Sequence, residues 1–108
     1  MSAPPVDVFE TSSEFCFQFE IPGMERDAIS ISVEDGHLSI SGEWKVDLPE
    51  KERLHVRERS RGKFERRFQL PASVDPSKIT ARLVNGVLEI RIPKREESRQ
   101  RQISIKVD

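Results

Sequence analysis

Residues 81–94 read Ala-Arg-Leu-Val-Asn-Gly-Val-Leu-Glu-Ile-Arg-Ile-Pro-Lys, and they contain the strongest structural signal in the chain. Apolar side chains alternate with polar ones on both sides of Asn85 and Gly86, which is the pattern of two half-buried strands. Asn and Gly both tolerate positive φ angles, so this pair predicts a tight hairpin between the strands. Pro93 has no N–H group to donate to a ladder, so we expect the second strand to end there.

The same two-residue alternation recurs along most of the chain. It is found at 15–21, 29–33, 38–41, 54–57, 64–70 and 79–83. The breaks carry turn residues, namely Pro22-Gly23, Asp35-Gly36, Arg61-Gly62 and Pro71. Many short strands separated by turns predict an all-β domain built as an antiparallel sandwich. Helix is expected only as single turns near 24–28 and 75–78.

Composition limits the classes of function that are open to the chain. Its 108 residues predict one domain, and a net charge of −1 argues against a nucleic-acid partner. No apolar run approaches the roughly 20 residues of a membrane span, so no membrane partner is expected. Residues 1–5 lack the features of a signal peptide, and a single cysteine is typical of a reducing compartment. We therefore expect a cytoplasmic protein.

Patterns for catalysis or metal binding are weak. His37 and His55 lie on polar strand phases, and two histidines with one cysteine lack the spacing of zinc ligands. No glycine-rich phosphate loop, nucleophile elbow or carboxylate pair is found. Cys16 also lies on a polar phase, and we expect no redox role for it. The sequence predicts no catalytic residue, no metal site and no cofactor.

Several motifs, taken in order, resemble those of the small heat-shock proteins, which are the α-crystallin-domain chaperones. Besides the Asn-Gly-Val-Leu hairpin that ends in Pro-Lys, they are Val-Asp-Val-Phe-Glu at 6–10, Phe-Glu-Ile-Pro-Gly at 19–23, Leu-Ser-Ile-Ser-Gly-Glu at 38–43, His-Val-Arg-Glu-Arg at 55–59, Gly-Lys-Phe-Glu-Arg-Arg-Phe-Gln-Leu-Pro at 62–71 and Ile-Ser-Ile at 103–105. The resemblance covers nearly the whole chain and is closest to plant, bacterial and fungal members.

The resemblance implies an immunoglobulin-like antiparallel β-sandwich that acts as an ATP-independent holdase. Its partners would be partly unfolded client proteins and further copies of itself, and it would have no enzyme activity. One alternative is an enzyme or sugar-binding sandwich, against which the absence of convergent polar residues argues. The other alternative is a p23-like co-chaperone adaptor, which docks on another chaperone instead of holding clients. The long loop and the Ile-Ser-Ile tail argue against that alternative.

The resemblance also divides the chain into regions. Residues 1–5 would be a residual N-terminal arm, 6–93 the α-crystallin domain with a swap loop at 43–61, and 94–108 a C-terminal extension. Family members usually carry a long apolar arm, whereas strand-like sequence begins here at Val6, so we expect reduced holdase activity and smaller assemblies. The charged segment 94–102 holds no core-forming residue, and we expect it to be solvated and mobile.

A lone short strand at 54–58 follows the polar connection 43–53. It can return to its own sandwich, or it can pair with the sheet edge of a partner. The connection spans up to about 35 Å at about 3.3 Å per residue, so reach does not decide between them. The resemblance to strand-swapping members favours a homodimer. Its predicted interface comprises Leu54, His55, Val56, Arg57, Glu58, Arg66 and Trp44, with core packing as the alternative for Trp44.

Arg66 lies on the apolar phase of its strand, together with Phe64 and Phe68. An arginine in such a place needs a carboxylate partner, because an unpaired buried charge is costly. The resemblance places Arg66 at the interface arginine of the family. The alternative is an edge position from which the guanidinium reaches water.

Ile103 and Ile105 form an apolar alternation beyond the charged segment. Burying both contributes about 3–6 kcal/mol, whereas ordering a flexible residue costs about 1–2 kcal/mol, so one tail binds weakly and several must act together. The alternative is a further strand of the chain's own domain. The predicted receptor is a groove of a neighbouring chain formed by Ile29, Ile31, Val33, Ala81 and Leu83.

Overall fold

The structure, a computed structural model, describes residues 3–45 and 52–96. Within these ranges the chain forms seven strands: β1 Val6–Glu10, β2 Glu14–Glu20, β3 Ile29–Glu34, β4 His37–Trp44, β5 Gly62–Gln69, β6 Thr80–Val84 and β7 Val87–Pro93. Two turns of 3-10 helix lie at Arg26–Ala28 and Pro76–Lys78, where single helical turns were predicted.

The strands form two antiparallel sheets. One sheet has the order β1-β2-β7-β6 and the other has the order β3-β4-β5. Their facing sides enclose one core, because the apolar phase of each strand points inward. The predicted all-β sandwich is therefore confirmed. The buried core residues are Phe17, Phe19, Ile21, Met24, Leu38, Ile40, Trp44, Phe64, Leu70, Val74, Leu88, Ile90 and Ile92.

The hairpin at Asn85 and Gly86 forms as predicted. Both residues have positive φ angles, 53° and 77°, and they join β6 to β7 with Leu83 opposite Leu88. A Cβ added to Gly86 would lie 3.0 Å from the Cα of Pro22. Glycine is thus required here both for its backbone angle and for the close approach of the neighbouring turn.

Cys16 is wholly buried, although it lies on the polar phase of its strand. Its side chain lies on the face of β2 away from the core, but Phe9 of β1 and Arg91 of β7 stand directly beside it. A central strand with large neighbours on both sides buries a small side chain on either face. Burial, followed by the nearby Glu14 carboxylate, raises the pKa of the Cys16 thiol.

The strand predicted at 54–58 does not form within the chain. Residues 52–60 have no regular secondary structure and are exposed, with Leu54 52% and Val56 71% accessible. In the part of the chain that the structure describes, no strand pairs with this segment. Alternation alone does not make a strand, because the backbone N–H and C=O groups also need a neighbouring strand as their partner.

Candidate functional site

The sandwich has two flanks, where edge strands of the two sheets lie opposite each other. We call the side formed by β3 and β6 the groove flank, and the side formed by β1 and β5 the strap flank. Edge strands leave a row of backbone groups unpaired, and the gap between two edges gives access to the core. The flanks are therefore where such a sandwich can bind another polypeptide.

The groove flank contains a cleft of about 420 Å³. Ile29 and Ile31 of β3 form one wall, while Ala81 and Leu83 of β6 form the other, above the buried side chain of Leu88. Four of the five predicted groove residues thus line one cleft. The fifth, Val33, packs against the core near by but does not line the cleft.

Charged side chains surround the apolar walls of the groove flank. Arg26, Asp27 and Arg82 line the same cleft. An extended peptide can place alternate apolar side chains into such a cleft while its backbone bonds to a free strand edge. The predicted tail residues Ile103 and Ile105 have this spacing, and they lie outside the described residues.

The strap flank is closed by the chain itself. Residues 3–5, which we call the strap, lead into β1, and the side chain of Pro4 is fully buried. The Nη1 group of Arg66 donates a hydrogen bond to the Pro4 carbonyl oxygen at 3.1 Å, and the Glu20 N–H donates to the Pro5 carbonyl oxygen at 3.1 Å. Residues 3–5, part of the predicted residual arm 1–5, therefore pack on the domain.

Arg66 contacts a backbone carbonyl and an aromatic ring within one copy of the chain. Within residues 3–45 and 52–96 no carboxylate lies at ion-pair distance from it, and its partners are the Pro4 carbonyl and the Phe68 ring, 5.1 Å from the guanidinium carbon. The side chain is only partly buried, so a carbonyl acceptor and contact with water satisfy it without a counter-charge.

The floor of the strap flank is aromatic. The Phe68 ring lies 5.3 Å from that of Phe17 in a tilted arrangement and 5.9 Å from that of Phe19 edge to face. Val8 of β1 pairs with Phe17 and shares its inner face, yet remains 47% accessible. An apolar surface therefore continues from beneath the strap to the edge of the sheet.

Trp44 belongs to the core of its own chain, which is the packing alternative for this residue. It is 7% exposed, its ring lies 5.5 Å from that of Phe64, and its Nε1 group donates to the Pro22 carbonyl oxygen at 2.8 Å. One edge of Trp44 also lines a cleft of about 340 Å³ that it shares with the loop. The other predicted interface residues in that cleft are Leu54, Val56, Arg57 and Glu58.

Both histidines lie outside any catalytic grouping in the described chain. His37 is half-buried, and its Nδ1 group donates to the Asp35 carbonyl oxygen at 3.0 Å, whereas His55 is exposed. Among the described residues no cluster of three or more potential metal ligands occurs. A search of these residues also finds no helix long and apolar enough to cross a bilayer.

The first residues of the predicted mobile segment are tied to the domain, which corrects that expectation. The Lys94 N–H donates to the Ser13 carbonyl oxygen at 2.7 Å, and its Nζ group lies 2.5 Å from a Glu10 carboxylate oxygen. The Arg95 N–H donates to the Ser73 carbonyl oxygen at 2.7 Å. These contacts could not be predicted from a charge-rich sequence, because the pairing of Lys94 with Glu10 depends on which strand ends lie side by side.

An ionic cluster on the outer face of the four-stranded sheet was not predicted. Arg91 of β7 pairs with Glu14 of β2 and with Glu89, and the Gln18 amide also reaches Glu89 at 3.4 Å. The hydrogen bond from Arg91 holds the pKa of Glu89 below its usual range. The alternating charges of β7 are visible in the sequence, but the pairing requires the register of β2 against β7.

Comparison with known proteins agrees with this architecture. Residues 7–108 match the Hsp20/alpha crystallin family. The chain is 38% identical over 104 residues to small heat shock protein C2 of Rickettsia felis and 40% identical over 104 residues to an 18.1 kDa class I heat shock protein of Oryza sativa subsp. japonica. These alignments cover 95% and 94% of the chain, and 68% and 65% of the respective relatives.

A solved structure gives the same result at the level of the fold. The crystal structure of a small heat-shock protein from Xylella fastidiosa, described as having a distinct high order structure, superimposes with a TM-score of 0.82 at 37% identity. The superposition covers 98% of each chain. The molecule is thus an α-crystallin-type sandwich with one open and one closed flank.

The chain belongs to the Hsp20/α-crystallin family, the small heat-shock proteins. Proteins of this family are non-enzymatic chaperones that form oligomers and bind unfolded proteins.

Proposed function

We propose that this chain is an ATP-independent holdase that binds partly unfolded polypeptides and keeps them from aggregating. The observation that carries the proposal is the groove flank, where the apolar walls Ile29, Ile31 and Leu83 stand open between two strand edges that no other described strand covers. Unfolded chains expose extended apolar segments, and these match a cleft of this shape. The chain spans about two thirds of the length of the two curated relatives described above, so their activity is part of this proposal.

The mechanism is passive. A protein that binds the unfolded state lowers its free concentration by mass action, and aggregation slows because it depends on that concentration. No bond is made or broken, so the binding itself requires no nucleotide. A shallow groove gives weak individual contacts, which lets clients leave when they refold.

The test is suppression of thermal aggregation of a heat-labile enzyme, followed by light scattering without nucleotide. We expect the wild-type chain to suppress scattering and Leu83→Ser to lose most of that effect. Val84→Ser is the matched control, because Val84 follows on β6 but does not line the cleft. Scattering no lower than with an equal amount of serum albumin would contradict the holdase function.

We further propose that the loop forms a strand-exchanged homodimer. Within one copy Leu54 and Val56 are exposed, and no described strand pairs with the outer edge of β1, where Val8 and Phe9 are 47% and 40% accessible. Pairing the segment 54–58 of one copy with the β1 edge of another would cover both apolar surfaces. Arg57, Glu58 and the exposed edge of Trp44 would lie at or beside this contact.

Deletion of residues 45–58 tests strand exchange. The core residues and every ladder of the sandwich lie outside the deleted segment, so we expect a folded chain that sediments as a monomer. Circular dichroism checks the fold of the shortened chain. A shortened chain that stays dimeric at low micromolar concentration would show that the interface lies elsewhere.

The tail supplies the third part of the proposal. Ile103 and Ile105 dock into the groove flank of a neighbouring dimer, which builds larger assemblies and competes with clients for the same cleft. The tail leaves the domain beyond Arg95, which is bonded to Ser73, and eight residues span up to about 26 Å. Weak docking of each tail makes the assembly responsive, because several contacts must open together.

The domain bounds and the cellular compartment belong to the same proposal. The domain covers 6–93, with 3–5 and 94–95 packed against it, and the lone cysteine is typical of a cytoplasmic protein. The comparisons give no support to the alternative of a p23-like adaptor.

A further inference from the structure

The strap binds its flank through features that many polypeptides share. Arg66 recognises the backbone carbonyl of Pro4, and the Glu20 N–H recognises that of Pro5. The only side chain that the strap fully buries is the Pro4 ring. Nothing in these contacts depends on a side-chain functional group of the strap.

Proline suits this site for a physical reason. Neither Pro4 nor Pro5 has an N–H group, so burying this stretch of backbone leaves no donor without an acceptor. The fixed φ angle of proline also reduces the conformational entropy that is lost on docking. An extended segment with proline therefore fits the flank at lower cost than the same segment with other residues.

The strap is also weakly held compared with the domain. Among the described residues one buried ring and two hydrogen bonds hold it, whereas β1 beyond it pairs along five residue positions with β2. Segments with few buried contacts open at a lower free energy than the core that carries them. Opening would expose the floor formed by Phe17, Phe19 and Phe68, which continues to the accessible side chain of Val8.

We infer that the strap flank is a second polypeptide-binding site, occupied at rest by the chain's own residues 3–5. When the strap detaches, the flank takes an extended, proline-containing segment of a client, with a client carbonyl on Arg66 and an apolar ring or side chain on the aromatic floor. This inference rests on the proposed holdase function and adds a site to it. The strap-binding site lies between the two sheets, whereas strand exchange would use the outward edge of β1.

Competition with the strap makes the inference measurable. When only a fraction of molecules has the site open, the apparent dissociation constant is the intrinsic value divided by that fraction. Pro4→Asp should leave the site open, because seating the variant strap would bury a carboxylate. Pro5→Asp is the matched control, since the Pro5 side chain is exposed and only its carbonyl oxygen is used.

The experiment is an NMR titration of the full chain with the acetylated, amidated peptide Ser-Ala-Pro-Pro-Val. We expect Pro4→Asp to bind this peptide at least tenfold more tightly than wild type or Pro5→Asp does, with amide shifts in 15–19 and 64–70. Adding Arg66→Met to Pro4→Asp should remove the gain. Pro4→Gly serves as a second opened variant whose fold is checked by thermal melting.

Two results would overturn the inference. One is equal affinity of the opened variants and of Pro5→Asp, and the other is a set of shifts centred on Ile31 and Leu83, which would place the peptide in the groove flank.

The aggregation assay separates this inference from the proposed function. Suppression of aggregation with no difference between Pro4→Asp and Pro5→Asp keeps the holdase function and rejects the strap site. Tighter peptide binding by Pro4→Asp without any suppression of aggregation keeps the site and rejects the holdase function.

Discussion

The two flanks of the sandwich share their construction and differ in what covers them. In the groove flank Ile29 and Ile31 face Leu83 across a cleft that no described residue fills, whereas in the strap flank Pro4 is buried over an aromatic floor. The two flanks differ because different segments of the chain precede their edge strands β1 and β3. The strap leads into β1 and buries Pro4 on its flank, whereas Arg26 and Asp27, in the turn that leads into β3, line the groove cleft without filling it. A small domain thus leaves one core edge open for binding and seals the other with its own residues.

The largest effect on stability is expected at the floor of the strap flank. Phe19→Ala should lower the free energy of unfolding by about 3–5 kcal/mol, because the Phe19 ring is wholly buried and its removal leaves a cavity. Urea unfolding followed by circular dichroism measures it. Phe9→Ala, on the exposed outer face of the same sheet, should cost about 1 kcal/mol or less. Equal losses for the two variants would mean that the closed flank is not a packed part of the core.

Arg66 should have a smaller but specific effect on the closed flank. Arg66→Ala removes the donor to Pro4 and the contact with Phe68, and we expect a loss of about 1–3 kcal/mol in urea unfolding. Arg67→Ala is the matched control, since Arg67 is exposed on the next position of β5. If both variants unfold at the same urea concentration, the strap adds nothing to the stability of the domain.

Acid should have the smallest effect. The Glu89 carboxyl, whose pKa is lowered, lies on the outer face of the four-stranded sheet and on neither flank. The pKa of Glu89 is held low by Arg91, so its contribution is present above the unfolded-state value of about 4.3 and is lost as pH falls through the lower folded value. Glu89→Gln should therefore lower the melting temperature at pH 7 but not at pH 2.5. Glu65→Gln, at an exposed carboxyl of β5, is the control. A difference between wild type and Glu89→Gln that persists at pH 2.5 would rule out this linkage.

The sequence predicted most of the fold because its signals are local. The alternation around Asn85 and Gly86 depends only on neighbouring residues, and the same holds for the strands that carry Phe17 and Ile31. The groove was predictable for a related reason, since the apolar phases of β3 and β6 identify its two walls. The family resemblance, confirmed by the comparisons, supplied the likeness of the whole chain to one class of protein.

The features that were missed depend on contacts between distant parts of the chain. Cys16 is buried by Phe9 and Arg91, which become its neighbours only once the register is set. Lys94 looks solvated in the sequence, yet Glu10 lies beside it in the folded chain. The segment 54–58 shows the converse case, since its strand-like pattern pairs with no strand in residues 3–45 and 52–96 of the same copy.

The claim that the open groove flank is the assembly site is tested most directly by the solution mass of the chain with and without its tail motif. Size exclusion with multi-angle light scattering determines that mass. If the open flank is the assembly site, wild type should form species larger than a dimer, and the double variant Ile103→Gly, Ile105→Gly should give a folded dimer of twice the 12.5 kDa chain mass. Leu83→Ser should reproduce that dimer from the groove side, while Val84→Ser should not. An identical mass distribution for wild type and the tail double variant would contradict the account, because the open flank would then take no part in assembly.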